Sequence, residues 1–220
     1  MSETVKLTAR NKTSLLDRAL VSLLQGEVVV VAAEHGYLYV CDAFNQVAVN
    51  RLHILRGDAP GTAAQVLIGK VSAVTGLAKD FDSDWQAVAA AFWPGLLTMQ
   101  LAPQLALHWD LGDGRELSEF AVRIPARPFL SALLTRSGPL AAASASQVGH
   151  HPIRDINFVS ALPTELGLIV DEGLLAEGPV STVLRRSAIG LTGGIEVLRE
   201  GAISLAQLQT VLPSISLHKP

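Results

Sequence analysis

Short pieces of this sequence place arginines, hydroxyls and carboxylates where an apolar run gives way to a loop. The earlier ones are Ala32-Ala33-Glu34-His35-Gly36-Tyr37, Arg51-Leu52-His53-Ile54-Leu55-Arg56-Gly57, Phe92-Trp93-Pro94-Gly95-Leu96-Leu97-Thr98 and Ala121-Val122-Arg123-Ile124-Pro125. Pro139-Leu140-Ala141-Ala142-Ala143-Ser144-Ala145-Ser146-Gln147-Val148-Gly149, Gly178-Pro179-Val180-Ser181-Thr182-Val183 and Val197-Leu198-Arg199-Glu200-Gly201 follow. Arginine presents five N–H donors in a planar fork, and hydroxyls add short donors, so these residue types suit the binding of phosphate or carboxylate. Singly, each piece is weak. An arginine at a strand end is usually solvated or ion-paired, Trp-Pro-Gly usually stops a helix, and Ser-Ala-Ser usually makes a turn. The basic residues are 12 Arg and 5 Lys, and Lys219 is the only lysine after Lys79. A GC-rich genome accounts for the larger share of that bias; selection of Arg for bidentate anion binding is the sharper reading.

Other chemistries are excluded or weak. The chain holds no G-x-x-x-x-G-K-[ST] loop, no G-x-G-x-x-G after its first apolar strand and no G-x-S-x-G elbow. His150 and His151 are neighbours that point differently, with no acidic partner at ligand spacing, and read as a solvated loop; His35, His53 and His108 read as structural. Cys41 is the only cysteine, which rules out an internal disulfide or a thiolate zinc cluster, so no protein-bound metal is expected. A net charge of −3 gives no global basic field for nucleic acid. A local stripe of Arg127, Arg136, Arg154, Arg185 and Arg186 reads as ordinary surface charge.

The elements that must position these groups follow from periodicity. Apolar residues make up 49% and charged residues 17%, and mean hydropathy is +0.36, enough for a large core. The longest apolar run, Val28 to Ala33, is too short to span a bilayer, and the polar start of the chain carries no secretory h-region, so no membrane is expected and a cytoplasmic location fits. Leu15, Leu16, Ala19, Leu20, Leu23 and Leu24 predict a helix over Thr13–Gln25, and Glu27–Ala33 predicts a strand covered on both faces. Further strands are predicted at Tyr37–Cys41, Gln65–Ile68, Leu97–Leu101 (with one less buried face), Glu119–Ile124, Leu140–Ala143, Leu168–Val170, Ser181–Arg185 and Glu196–Leu198. Helices are predicted at Phe44–Leu55, after Asp82 or Ser83, at Phe129–Arg136 and at Ser204–Leu212. The result is one α/β (or α+β) domain around a mixed sheet, spanning 13–212, with an N-terminal arm over 1–12 and a loose tail over 213–220.

Taken together and in this order, the pieces resemble the YrdC-like family, the threonylcarbamoyl-AMP synthases, from about Leu15 to Ile203. Trp-Pro-Gly-x-x-Thr, Val-Arg-Ile-Pro, Pro-Leu…Ser-Ala-x-x-x-Gly, Ser-Thr-Val and the last Arg-x-Gly carry the likeness. It implies a twisted, open sheet with a concave, positively lined cavity. It also implies a reaction that joins L-threonine, bicarbonate and ATP (as its magnesium complex) into threonylcarbamoyl-adenylate and releases pyrophosphate. The product serves threonylcarbamoyladenosine modification of tRNA, and binding of double-stranded RNA has also been attributed to the family. Carried over residue by residue, the resemblance assigns Arg56, Ser144, Ser146, Ser181, Thr182 and Arg199 to nucleotide and phosphate binding. It assigns Glu34, Tyr37 and Arg123 to the amino-acid substrate. No nucleophilic side chain is expected, because positioning and charge stabilisation supply most of the catalysis.

The departures fall in the same motifs. The family's Pro-Thr-Glu-Thr-x-Tyr-Gly keeps Glu34 and Tyr37 but has Ala32, Ala33, His35 and Leu38 at its other named positions. The Lys-x-Arg phosphate motif becomes Arg56 and Asp58, and an anion beside a triphosphate costs affinity. Ser146 stands for Asn, Val148 for Ser, and Arg185 for the aspartate that often follows Ser-Thr-Val, with Arg186 beside it. At 220 residues the chain is expected to lack the C-terminal domain of longer relatives. Two readings result: a synthase of the family type, or a divergent paralogue that binds nucleotide or RNA without synthesis.

Overall fold

In a computed structural model that describes residues 3–116, 118–159, 166–187 and 193–218, the chain opens with β1 (Glu3–Lys6), α1 (Lys12–Leu24), β2 (Val28–Ala32), β3 (Tyr37–Asp42), α2 (Gln46–Arg56) and β4 (Gln65–Leu67). It continues through α3 (Val74–Leu77), α4 (Ser83–Phe92), β5 (Leu97–Leu101), β6 (Phe120–Arg123), α5 (Pro128–Ser137) and β7 (Leu140–Ser144). β8 (Leu166–Asp171), β9 (Thr182–Arg186), β10 (Ile195–Arg199), α6 (Leu205–Val211) and β11 (Ser216–Leu217) complete it. The strands form one open, mixed sheet in the order β1-β8-β2-β3-β7-β4-β6-β5-β9-β10-β11. β2, β3, β7 and β4 pair antiparallel, whereas β4 with β6 and β5 with β9 run parallel.

Local chemistry sets the helix ends. Asn45 accepts the Ala48 N–H at 3.1 Å to start α2, and Asp82 accepts the Trp85 N–H at 3.2 Å to start α4. Gly57 stops α2 with φ +73°, a left-handed turn that glycine adopts without steric cost. Ser204 and Gln207 form a reciprocal cap on α6.

Helices cover both sheet faces. On one, Leu15, Leu16, Ala19 and Leu23 of α1 and Phe129, Leu130, Leu133 and Leu134 of α5 pack on Val29, Val31, Val40, Leu67 and Ala142. On the other, α2, α4 and α6 bury Leu52, Trp85 and Leu208 with Val30, Tyr39, Val66, Met99 and Val122. The alternation within each strand sends its residues to the two clusters in turn. The all-buried pattern of β2 follows from this double cover.

The expected less buried face of β5 is present but uneven: Gln100 is half-buried, whereas Thr98 on the same face is 3% exposed beneath the polar cleft described below. Two expectations need correcting. Glu3–Lys6 is an edge strand paired in parallel with β8, and Ser216–Leu217 pairs in parallel with β10. Both are short and mostly exposed, so their stability comes from a neighbour's backbone and leaves no apolar pattern in the sequence.

Leu133 is fully buried between α5 and the sheet, whereas Leu24 is 85% exposed at the end of α1. Leu133→Ala is expected to cost about 2–5 kcal/mol by cavity formation. Leu24→Ala is expected to stay within about 0.5 kcal/mol of wild type. Urea midpoints at constant m-value check both.

Candidate functional site

The α1–α5 layer covers only part of its sheet face. Leu38, Gln65 and Ser144 lie two residues along their strands from Val40, Leu67 and Ala142, so they continue that face past the helices. There the sheet opens into a cleft of about 220 Å³ whose wall includes Glu34, His35, Tyr37, Gln65, Arg123, Ser144, Ser181 and Arg199. Larger hollows beside α1 (about 360 Å³) and beside α5 (about 350 Å³) gather none of the residues assigned to nucleotide, phosphate or amino-acid binding.

Arg123 and Glu34 form an ion pair at the floor of the cleft, with side chains 9% and 14% exposed. Arg123 Nε also donates to the Gly95 carbonyl at 3.0 Å, and Glu34 Oε1 accepts the Ala126 N–H at 2.9 Å. The Trp-Pro-Gly segment, whose Trp93–Pro94 peptide is cis, therefore positions the arginine. Burial works to raise the Glu34 carboxyl's pKa, but the Arg123 charge and the hydrogen bonds to it together hold it below its ordinary value. Tyr37 lends its ring to the wall, yet its hydroxyl is spent: it donates to the Gly173 carbonyl at 2.7 Å and accepts the Glu172 N–H at 3.0 Å. Burial is the main reason its pKa is pushed up to about 12.

Ser181 and Thr182 are successive residues and face opposite ways. Ser181 lines the cleft, while Thr182 is fully buried. The Thr182 hydroxyl donates to the Ile203 carbonyl at 2.7 Å and accepts the N–H groups of Gly201 (3.0 Å) and Ile203 (2.9 Å). It shapes the turn after β10 and does not reach a ligand. A Cβ on Gly201 would stand 2.4 Å from the Val180 carbonyl, so only glycine lets this turn approach β9. The turn in turn holds Arg199 on the cleft wall, donating from Nη2 to the Ser181 carbonyl at 2.9 Å and to its hydroxyl at 3.2 Å. Among the described residues Arg199 meets no carboxylate.

Ser144 also faces the cleft, and Ser146, 4% exposed, stands behind it with 2.7 Å between the two hydroxyl oxygens. Arg56 lies outside the lining. Its Nε is 3.3 Å from Asp58 Oδ1 without hydrogen-bond alignment, and its carbonyl accepts the Val148 N–H at 3.4 Å. Asp58 is likewise not in the cleft: its side chain is 3% exposed and lies 2.7 Å from His53 Nδ1. His53 Nε2 is 2.8 Å from the Leu111 carbonyl, so the ring bridges Asp58 to the loop before β6. The five arginines of the surface stripe are each matched: Arg127 with Glu172, Arg136 with Asp17, Arg154 with Glu177, Arg185 with Glu196 and Arg186 with Asp82.

Gln65, Thr98 and His35 belong to the site although the motif reading gave them no role. Gln65 and Thr98 continue a hydrogen-bonded line from Ser181, and His35 Nδ1 lies 3.1 Å from the Ala176 carbonyl. Thr98 closes the Trp-Pro-Gly-x-x-Thr motif and His35 stands at a family threonine position, whereas the signal for Gln65 was only a polar residue opening an apolar strand. Among the described residues no cluster of three or more His, Cys, Asp or Glu could hold a metal ion, and no helix is long and apolar enough to cross a membrane.

An open mixed sheet whose uncovered face carries two arginines and directed hydroxyls defines an α/β protein with a polar cleft. Residues 22–201 match the family model Sua5_yciO_yrdC, which carries the description Telomere recombination, and the chain belongs to this Sua5/YciO/YrdC family. It is 32% identical over 193 residues to the threonylcarbamoyl-AMP synthase of Coxiella burnetii, covering 85% of this chain and 97% of that protein. A solved P. abyssi Sua5 variant superposes with TM-score 0.87 at 25% identity, over 99% of this chain and 62% of that one. P. abyssi Sua5 complexed with L-threonine gives 0.84 at 24% identity over the same shares, so the chain spans less than two thirds of that longer protein.

Two outcomes follow from the site's charges. The folded-state pKa of Glu34 is depressed, so its contribution is complete above the ordinary value of 4.5 and is lost as pH falls through the folded-state value. Wild-type melting temperature is expected to drop on acidification below that range. Glu34→Gln, costing about 3 kcal/mol at neutral pH by leaving Arg123 unpaired, is expected to flatten the drop. Asp58→Asn is expected to lose about 1–3 kcal/mol in urea denaturation, because a neutral amide replaces a buried carboxylate held by His53. Unchanged stability would show that the His53–Asp58 contact holds nothing in place.

Proposed function

We propose that this chain is a synthase of the L-threonylcarbamoyladenylate type, converting L-threonine, bicarbonate and ATP to threonylcarbamoyl-AMP and pyrophosphate. The observation that carries the reading is Arg199, a cation without a carboxylate partner among the described residues, set beside Ser181 on the cleft wall. The cleft's other charges, Glu34 and Arg123, balance each other. An incoming triphosphate or acyl phosphate would complete the balance. The synthase named in Coxiella burnetii and the threonine complex of P. abyssi Sua5 support this choice of substrates.

The chemistry asks for charge neutralisation and alignment. Threonine nitrogen and bicarbonate combine, with loss of water, to a carbamate; its carboxylate oxygen attacks the α-phosphorus of magnesium-bound ATP, and pyrophosphate leaves with the bonding electrons. Arg199 and the Ser181 hydroxyl face the phosphate charge. The N–H groups of Arg123 not taken by Glu34 and Gly95 face the amino-acid carboxylate, and Ser144 supplies a hydroxyl. Each group is held by protein hydrogen bonds before substrate arrives, which spares reorganisation during reaction. Use of the product on tRNA, in the cytoplasm, belongs to this reading. The ion-paired state of the arginine stripe favours a small-molecule cleft over an RNA face. The non-synthase alternative leaned most on Asp58, and that residue lies outside the cleft.

With ATP and magnesium, pyrophosphate release is expected to require L-threonine and bicarbonate together. Arg199→Ala, at an exposed position, is expected to lower kcat/KM by about tenfold or more with folding intact. Release that ignores threonine would assign the cleft a different acceptor.

A further inference from the structure

A line of polar groups crosses three strands beneath the cleft. Gln65 on β4 reaches over β6, and its Nε2 donates to Thr98 Oγ1 on β5 at 2.9 Å. Thr98 Oγ1 donates to Ser181 Oγ at 3.0 Å, and Arg199 Nη2 donates to the same oxygen at 3.2 Å. A hydroxyl has one proton and two acceptor positions. On Ser181 both acceptor positions are filled from within the protein. Its proton has no acceptor among the described residues, and the residue lines the cleft.

We propose that Gln65 is a positioning residue that fixes Ser181 as a hydrogen-bond donor to an anionic oxygen in the cleft. An amide N–H has no acceptor capacity, so it sets the direction of the line. With Gln65 donating, Ser181 Oγ is the acceptor left for the buried Thr98 proton among the described residues, and the accepted bond polarises the Thr98 hydroxyl toward giving it, so Ser181 offers its own proton to the ligand. Without Gln65 that polarisation is lost and the Thr98 hydroxyl can rotate to accept from Ser181, which turns the Ser181 proton inward, away from phosphate. Thr98 is 3% exposed, so water cannot readily replace the missing donor. The fixed polarity suits a phosphate oxygen and disfavours a ligand that presents an N–H or O–H at this point. The assignment of phosphate as the anion rests on the synthase reading above; the polarity itself does not.

The test is a double-mutant cycle on binding of magnesium-ATP and of pyrophosphate, read by calorimetry, with Gln65→Met, Ser181→Ala and the two combined. Met keeps the length of Gln and cannot donate. Gln65→Met is expected to weaken ATP about five- to tenfold. In the Ser181→Ala background the same change is expected to alter affinity less than about twofold, because its effect passes through Ser181. Gln65→Leu serves as a second variant, and unaltered melting curves accompany both. A merely structural role would give equal losses in both backgrounds, and that additivity would overturn the proposal, as would a Ser181→Ala protein that binds ATP like wild type. Non-additive ATP binding with pyrophosphate release that ignores threonine would leave the proposal standing and overturn the synthase reading alone. Wild-type protein that binds neither ATP nor pyrophosphate would overturn both.

Discussion

The cleft depends on one buried ion pair. Arg123 and Glu34 lie 89 residues apart in the chain, and their contact ties the turn between β2 and β3 to the end of β6. Through Gly95 and Ala126 the same two side chains also hold the Trp-Pro-Gly segment and the approach to α5. Removing either partner would strand the other charge in a nearly dry place, at a cost of about 3–5 kcal/mol. Structure and function therefore draw on the same residues here. The pair holds three segments in register while presenting the remaining guanidinium N–H groups at the floor of the site.

That pairing also decides where the field of the cleft comes from. A neutralised arginine recognises by geometry more than by net charge. The net positive contribution is left to Arg199, which sits on the far wall at the end of β10 and is held by the turn that Thr182 and Gly201 shape. The motif residues thus divide between those that line the cleft and those that hold them. Ser181 and Arg199 line it, with Gln65 also on its wall; Thr182 and Thr98 stand behind.

Much of this was legible. Short apolar runs, with alternation at Leu97–Leu101, marked the interior strands, and the order of the motifs along the chain pointed to the family. Ser181 and Thr182 were assigned the same role, although neighbours on a strand point to opposite faces; the alternation rule itself separates them. Other features left no local trace. The stripe arginines find acids as far away as Arg186 and Asp82, 104 residues apart, and only the folded sheet brings them together. β1 and β11 are stabilised by backbone pairing at the edges, which side-chain patterns do not record.

The substitution at Asp58 shows the same limit from the other side. Reading an acid in a phosphate motif as a loss of positive field assumes that the side chain still points at the ligand. Here α2 ends in Gly57 with a left-handed turn, and the next residue folds back, its N–H donating to the His53 carbonyl at 3.1 Å and its carboxylate lying against the His53 ring. A lone anion at a helix C-terminus would be unfavourable against the negative end of the macrodipole. Arg56 in the last turn of α2 offsets it, and the His53 ring, with the Leu111 carbonyl on its other side, ties in the loop before β6. The segment has become a structural cap joining α2 to that loop. Its charge is consumed locally, at a distance from the cleft that the alignment of a motif does not reveal. In the synthase reading proposed above, the anion is then left to the end of β10, where Arg199 meets no acid among the described residues.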